Sequence, residues 1–287
     1  MRKYHLLLTL CFTLFSVLLF GQKKPAYKIY NSKGKKVSYK KMVKRLKKQE
    51  IVLFGETHNN PIAHWLQLEV TKDLHQSQPL ILGAEMLEAD NQIPLTQYLK
   101  NEIDYTGLDT LARLWSNYKT DYAPLVDFAR ENNLPFVATN IPRRYASQVY
   151  REGGFEALDD LSQKEKSWIA PLPILFDPNL PQYKNILTMM GDHGTPELVK
   201  AQAIKDATMA YFISKNYQKG KLFLHFNGSY HSDYYEGIMW YLRQIDDSVK
   251  YGSITTVSQK NVNKLLKEHK GKADFIICVD EDMTTTY

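Results

Sequence analysis

The chain has 287 residues, 44% hydrophobic and 24% charged, with 37 Lys and Arg against 31 Asp and Glu. This is an ordinary globular composition, able to bury a substantial core in one sizeable domain or a domain with a subdomain. No repeat with a period of about 20 to 50 residues is present, which argues against a solenoid.

Arg2-Lys3 followed by the apolar stretch from Leu6 to Phe20 reads as a secretory signal, so residues 1–22 are expected to be removed. The stretch is 15 residues long, short of the ~20 that span a bilayer. Cys11 lies in its middle, after the bulky Leu10, and not at its end where a lipoprotein signal needs it. The expectation is an exported protein, periplasmic or secreted, without a lipid anchor. Cys278 then remains alone, so the mature chain forms no internal disulfide and relies on its core. In the run Phe275-Ile276-Ile277-Cys278-Val279 it reads as a buried strand residue.

Charge is unevenly spread. Lys23 to Lys48 holds 12 Lys and Arg and no acid; without these, Arg2 and Lys3, 23 basic residues face 31 acidic ones, a net of about −8. The body is acidic, which argues against nucleic-acid binding; the basic segment 23–50 could touch an anionic lipid or a polyanion, but reads better as a solvated leader and first helix. From Ser38, a cap, Tyr39 to Gln49 places Met42, Val43 and Leu46 on one helical face.

Ile51-Val52-Leu53-Phe54 has the length and composition of a buried strand and runs directly into Gly55-Glu56-Thr57-His58. Asn60 then caps a helix opened by Pro61, with Ile62, Trp65, Leu66 and Val70 as its buried stripe. Leu80 to Glu85 reads as the second strand and Leu134 to Asn140 as the third, with a helix at Ala123 to Glu131 between them. This β-α-β-α order is the signature of a parallel sheet flanked by helices. From Ile141 to Gly220 there are helix signals, including Thr195-Pro196-Glu197 opening a run to Tyr217, and a proline-rich loop from Ile169 to Pro181. This interval is expected to form a helical subdomain at about 141–220. The fourth strand, Lys221 to Asn227, leads into a second Gly-x-x-His step, Gly228-Ser229-Tyr230-His231, and further strands follow around Ile254 to Val257 and Phe275 to Val279.

If both Gly-x-x-His steps belong to one parallel sheet, both histidines emerge at its carboxyl edge, where open α/β sheets bind ligands. Strand ends then present Glu56 and His58, Glu85, Asn140 and His231 to one place. His58, Glu85 and His231 are a minimal ligand set for a divalent metal such as Mn or Zn, with Glu56 as base on its water. Without metal the same residues form a His/Glu acid–base pair. One such step is a weak signal; two after strands, with acids between, favour a site. The turn at Asn59-Asn60-Pro61 exposes helix amino-terminal N–H groups to an anion, and Arg143 and Arg144 follow the third strand. His64, His75 and His225 read as helix or core residues, and His193, beside Met189 and Met190, as a loop histidine able to meet a ligand. Tyr145, Tyr150 and Tyr183 fall in the helical interval, and a tyrosinate is one of the axial ligands haem iron takes.

Phe54-Gly55-Glu56-Thr57-His58, Ala84-Glu85-Met86, Asn140-Ile141-Pro142-Arg143, the block from Gln202 to Ala210 and Asn227-Gly228-Ser229-Tyr230-His231 resemble the ChaN-type haem-binding proteins. These share a superfamily with Tiki proteases, TraB-like proteins and erythromycin esterases, and the resemblance spans roughly Ile51 to Gln244. It implies a parallel sheet flanked by helices with a small helical domain, and haem held at a homodimer interface through a tyrosine for bacterial iron acquisition. It also implies histidine and lysine contacts from the partner to the propionates. Tyr145, Tyr183, His193 and Arg143 are the candidates for contact with haem. An outer-membrane haem-uptake protein is the implied partner. Other superfamily branches use the positions matching Glu56, His58, Glu85 and His231 for hydrolysis, which makes a metal-dependent hydrolase the alternative function.

Overall fold

The computed structural model describes residues 24–189, 191 and 194–287. The expected signal, residues 1–22, and His193 lie outside the described residues. Among those described, strands β1 (Tyr27–Asn31), β2 (Lys36–Val37), β3 (Ile51–Glu56), β4 (Leu80–Glu88), β5 (Phe136–Asn140), β6 (Leu222–Gly228), β7 (Tyr251–Gln259) and β8 (Phe275–Asp280) form one sheet. Its order is β2-β1-β8-β7-β3-β6-β4-β5. From β8 to β5 all neighbours are parallel, whereas β1 pairs antiparallel with both β8 and β2. The mainly parallel α/β architecture expected from the strand-helix alternation is therefore present.

Helix α1 (Tyr39–Leu46) is capped by Ser38, and α2 (Pro61–His75) by Asn60, whose side chain accepts from the Ala63 N–H. Sequence alternation sets the two faces of the sheet. Val52, Phe54, Leu82, Leu224 and Phe226 face α1, α2 and α5 (Ala123–Glu131). Ile51, Leu53, Ile81 and Phe223 face α9 (Pro196–Asn216) and α10 (Ile238–Ile245). The strands are buried on both faces and so read as continuous apolar runs. Between β4 and α5 lie α3 (Gln92–Leu99), α4 (Tyr105–Leu111) and a π-helical turn at Tyr118–Tyr122.

The interval 141–220 contains helices α6 (Arg143–Arg151), α7 (Gln163–Lys166), α8 (Pro181–Met189) and α9, with an irregular proline-rich connection before α8. α6 packs on α9 through Tyr145, Val149, Ala201 and Ile204, and α8 through Tyr183, Val199 and Ala203. Small residues along α9 let it serve two layers, the sheet on one side and these helices on the other.

Two expectations change. The basic segment 23–50 is not a solvated leader ahead of the fold: it carries β1 and β2, and the Tyr30 hydroxyl, buried, donates to the Val262 carbonyl at 2.5 Å. The strand is short and the lysines around it obscure the pattern. Trp65 is 48% exposed and does not join the stripe of Leu66 and Val70; its ring meets Tyr27 edge-on at 6.1 Å. Trp65 is thus partly covered by β1, a strand absent from the sequence expectation.

Candidate functional site

β3 and β6, the strands that carry the two Gly-x-x-His steps, are direct neighbours, with Glu56 opposite Gly228 and Gly55 opposite Asn227. The chain leaves both strands at the carboxyl edge, so His58, Gly228 and His231 line one cleft there, with His58 beside Gly228. β4, on the far side of β6, brings Glu85. Its register against β5 shifts between Ala84 and Glu88, an irregularity of the kind that re-aims side chains near binding sites.

Two carboxylate–histidine clusters result. In the first, Glu56 is buried at the end of β3 and accepts four hydrogen bonds. His58 Nδ1–H (3.0 Å) and the Tyr122 hydroxyl (2.8 Å) reach Oε1; Gln67 Nε2–H (2.8 Å) and His64 Nδ1–H (3.1 Å) reach Oε2. Burial pushes the Glu56 carboxyl up, but hydrogen bonds from His58 and His64 outweigh it and hold it below the usual range. His64 donates its second N–H to the His58 carbonyl at 3.1 Å and lies 3.6 Å from Asp121. Burial opposes charge on His58 and His64, yet the bond to Glu56 raises both. Asp121 also accepts from Asn117 (2.7 Å) and Thr286 (2.8 Å), and the Thr286 N–H donates to the Asn59 carbonyl at 3.0 Å, tying this loop to the chain's last described residues.

In the second cluster, His231 donates Nδ1–H to Asp206 (2.5 Å) and Nε2–H to Glu85 (3.2 Å). An imidazole that donates twice is an imidazolium. Burial works against the charge, but Glu85 and Asp206 prevail and His231 is pushed up to about 10. Glu85 also accepts from the Gly228 N–H at 2.6 Å; against burial, His231 holds its carboxyl well below the usual range. Burial pushes Asp206 up against the pull of His231. Its other oxygen accepts the Tyr183 hydroxyl at 3.0 Å.

Glu56 and His58 of the first cluster and His231 of the second line the floor of a cleft of about 500 Å³. Its apolar wall is Ile186 and Met189 of α8 and Leu198 of α9; Tyr230, His58 and Gln202 supply polar groups. Tyr230 is 42% exposed and its hydroxyl lies 2.9 Å from Met189 Sδ.

Glu56, His58, Glu85 and His231 thus come together as the strand ends predicted. Their use as a metal triad finds no support in this arrangement. Both nitrogens of His231 lie against carboxylates, Glu85 and Asp206, and among the described residues no group of three His, Cys, Asp or Glu side chains is arranged to hold an ion. Asn140 ends β5 opposite Glu88, away from the cleft wall, with its Oδ1 buried and without a partner. Tyr145 sits under Arg144, its hydroxyl 3.1 Å from both Arg144 and Glu165. Tyr183 is buried behind His231 with its hydroxyl on Asp206. Neither turns its oxygen into the cleft, and burial raises both phenols, which disfavours the phenolate an iron ligand requires. Arg143 is exposed at the start of α6, and its backbone N–H caps onto Glu88. His225 is the core residue expected: it lies between Thr139 Oγ1 (2.8 Å) and Asn227 Oδ1 (3.2 Å), and burial lowers it to about 4.

Asp206, Gln202, His64, Gln67 and Tyr122 were not singled out as site residues. Gln202 and Asp206 carry a signal, since they stand one turn apart in an alanine-rich helix and share the face toward His231. Tyr122 carries none; a π-helical turn far along the chain places it.

A family model described as haem-binding uptake, Tiki superfamily, ChaN, matches residues 42–242. Protein RETICULATA-RELATED 5, chloroplastic, of Arabidopsis thaliana is 25% identical over 192 residues, 61% of this chain; the chain spans about a quarter (26%) of that protein's length. Among solved structures, ChaN of Campylobacter jejuni, described with cofacial haem binding, superposes with a TM-score of 0.66 at 19% identity, covering 88% of this chain and 97% of that one. A mutant erythromycin esterase in its open conformation reaches 0.52 at 10% identity over 89% and 97% of the two chains. These structural likenesses show the fold. With the matched model spanning most of the chain, including strands β3 to β6, the helical interval and both Gly-x-x-His steps, the chain belongs to the ChaN haem-binding uptake family of the Tiki superfamily.

Proposed function

We propose that this chain is an exported haem-binding protein of haem or iron uptake, with haem seated in the cleft beneath α8 and covered by a second copy. The observation that carries the reading is the cleft wall. Its volume of about 500 Å³ falls within the range of small-molecule sites, roughly 300–1,000 Å³. Ile186, Met189 and Leu198 offer an apolar face, and Tyr230, Met189 and His58 are all side-chain types that ligate haem iron. Among the described residues lining the cleft, Tyr230 is the one tyrosine, so it replaces Tyr145 and Tyr183 as the candidate axial ligand. His58, its cation favoured by Glu56, is a donor for a propionate. Met189 at 60% exposure and Tyr230 leave a partly apolar rim that a second chain would cover.

Hemin titrated into the purified protein is expected to give a saturating Soret shift, with the complex sedimenting as a dimer. Tyr230→Phe should weaken the shift or move its position, while Tyr145→Phe should not. Absence of any shift in both oxidised and reduced samples would sink the proposal.

One observation favours a second reading, acid–base hydrolysis without metal. Glu56 holds His58 through Nδ1, which leaves Nε2 facing the cleft beside Gly228, the arrangement of a carboxylate-oriented base. Ester hydrolysis by the purified protein, abolished in His58→Ala and following deprotonation of His58, is its expected signature; activity unchanged by His58→Ala removes it.

A further inference from the structure

The amino end of the parallel strands, opposite the cleft, gathers positive charge from segments far apart in sequence. Because β1 runs antiparallel to β8, with Asn31 opposite Phe275, the turn after β1 comes to that end. It exposes Lys33, Lys35 and Lys36. Helix α1, which enters β3 from the same end, buries Met42, Val43 and Leu46 and leaves Lys40, Lys41 and Lys44 in solvent. The loop before β8 adds Lys267 and Lys270, both exposed, alongside the acids Glu268 and Asp274. Contact between the segments is direct. The Gly271 N–H donates to the Ser32 carbonyl at 2.9 Å, and Lys270 lies over Gly34, where a Cβ would come within 2.7 Å of its Cε. Among the described residues, none of these lysines forms an ion pair.

We propose that this face docks the protein onto an anionic lipid surface. Lysines act as point charges that sum over a bilayer's headgroups, whereas nucleic-acid recognition calls for arginine forks and exposed aromatic platforms. The single arginine of α1, Arg45, is committed over the Phe275 ring at 5.2 Å. Of the neighbouring tyrosines, Tyr30 is buried and neither Tyr27 nor Tyr39 is fully exposed. Docked this way, the cleft opens away from the membrane toward the aqueous phase. The fold thus separates a surface that attaches from an edge that binds.

Sedimentation of the full chain with vesicles of phosphatidylglycerol and phosphatidylcholine, compared with pure phosphatidylcholine, tests this. Binding is expected only with the anionic lipid and should fall as salt rises. A lysine near such a surface contributes about fivefold in partition. The pair Lys40→Glu and Lys44→Glu should therefore lower partition by about twentyfold or more, and so, separately, should Lys267→Glu with Lys270→Glu. Hemin titration and thermal unfolding, expected to be unchanged, report that each variant is folded. Equal sedimentation with neutral vesicles, or an unchanged partition in either variant, would overturn the proposal. So would tighter binding to a single-stranded oligonucleotide or to polyglutamate at matched anion concentration.

Discussion

Gly228 is where the two clusters come closest, and its lack of a side chain is what permits it. Its backbone dihedrals are open to any residue, but a Cβ there would lie 2.8 Å from His58 Cε1 and Nε2 and 3.4 Å from Glu85 Oε2. The His58 ring is partly exposed and can swing aside, so Gly228→Ala should cost only about 1 kcal/mol of stability while displacing His58 from Glu56. Urea unfolding beside hemin titration separates the two effects: a small change in midpoint with impaired ligand binding is expected, and a large loss of stability would mean that His58 is rigidly held. At His231, Asp206→Asn keeps an oxygen near Nδ1 but removes a charge, so the imidazole pKa should fall from about 10, read from its NMR titration. His58, Glu85 and His231 were legible in the sequence because each ends or closely follows an apolar run, and a parallel sheet must bring such ends to one edge. Asp206 and Tyr122 were less so: they act from a helix and a π-helical turn whose docking depends on tertiary packing. The iron-ligand candidates Tyr145 and Tyr183 failed to reach the cleft for a related reason. Placing them in the helical interval did not say which way each ring turns.

At the scale of elements, strand existence followed closely from apolar run length for β3 to β8, and helix starts from Asn60-Pro61 and Thr195-Pro196. β1 was hidden because it is only five residues long and lies in a lysine-rich segment, and charge masks the alternation that marks a strand. The edge beside it is closed by β2, only two residues long, as short edge strands resist pairing with other chains. The opposite edge is managed by a side chain. Gln92, at the start of α3, donates to the Phe136 carbonyl at 3.2 Å and accepts from the Ala138 N–H at 2.7 Å, imitating the peptide group of a further strand. Gln92→Ala would leave both β5 groups without their partner, at a cost of about 1–3 kcal/mol. A urea midpoint lowered accordingly is expected, together with concentration-dependent association through the freed edge; an unchanged midpoint would show that water replaces the amide without loss.

The whole molecule encloses several titratable groups whose folded and unfolded pKa values differ in opposite senses, and stability must follow pH accordingly. His225, lowered by burial from 6.5 to about 4, is neutral in the fold. The unfolded chain binds its proton more readily, so stability falls as pH drops through this interval, by on the order of 3 kcal/mol if the whole shift is expressed. Glu56 and Glu85 are held below their ordinary 4.5 despite burial, the former by His58 and His64 and the latter chiefly by His231. Their contribution is present above that value and lost below it, which steepens the acid limb. His231 has the opposite sign. Raised to about 10, it contributes fully below pH 6.5 and loses that contribution as pH rises toward 10. Stability should therefore peak near neutral pH and decline on both sides. Urea midpoints measured from pH 4 to 10 test the curve, and His225→Gln tests its acid limb: removing the proton-binding group should flatten the slope between pH 6.5 and 4, whatever its effect on the overall level. An acid limb that keeps its slope in His225→Gln would assign the loss to the carboxylates of the cleft floor, and with it the acid sensitivity of the fold to the site itself.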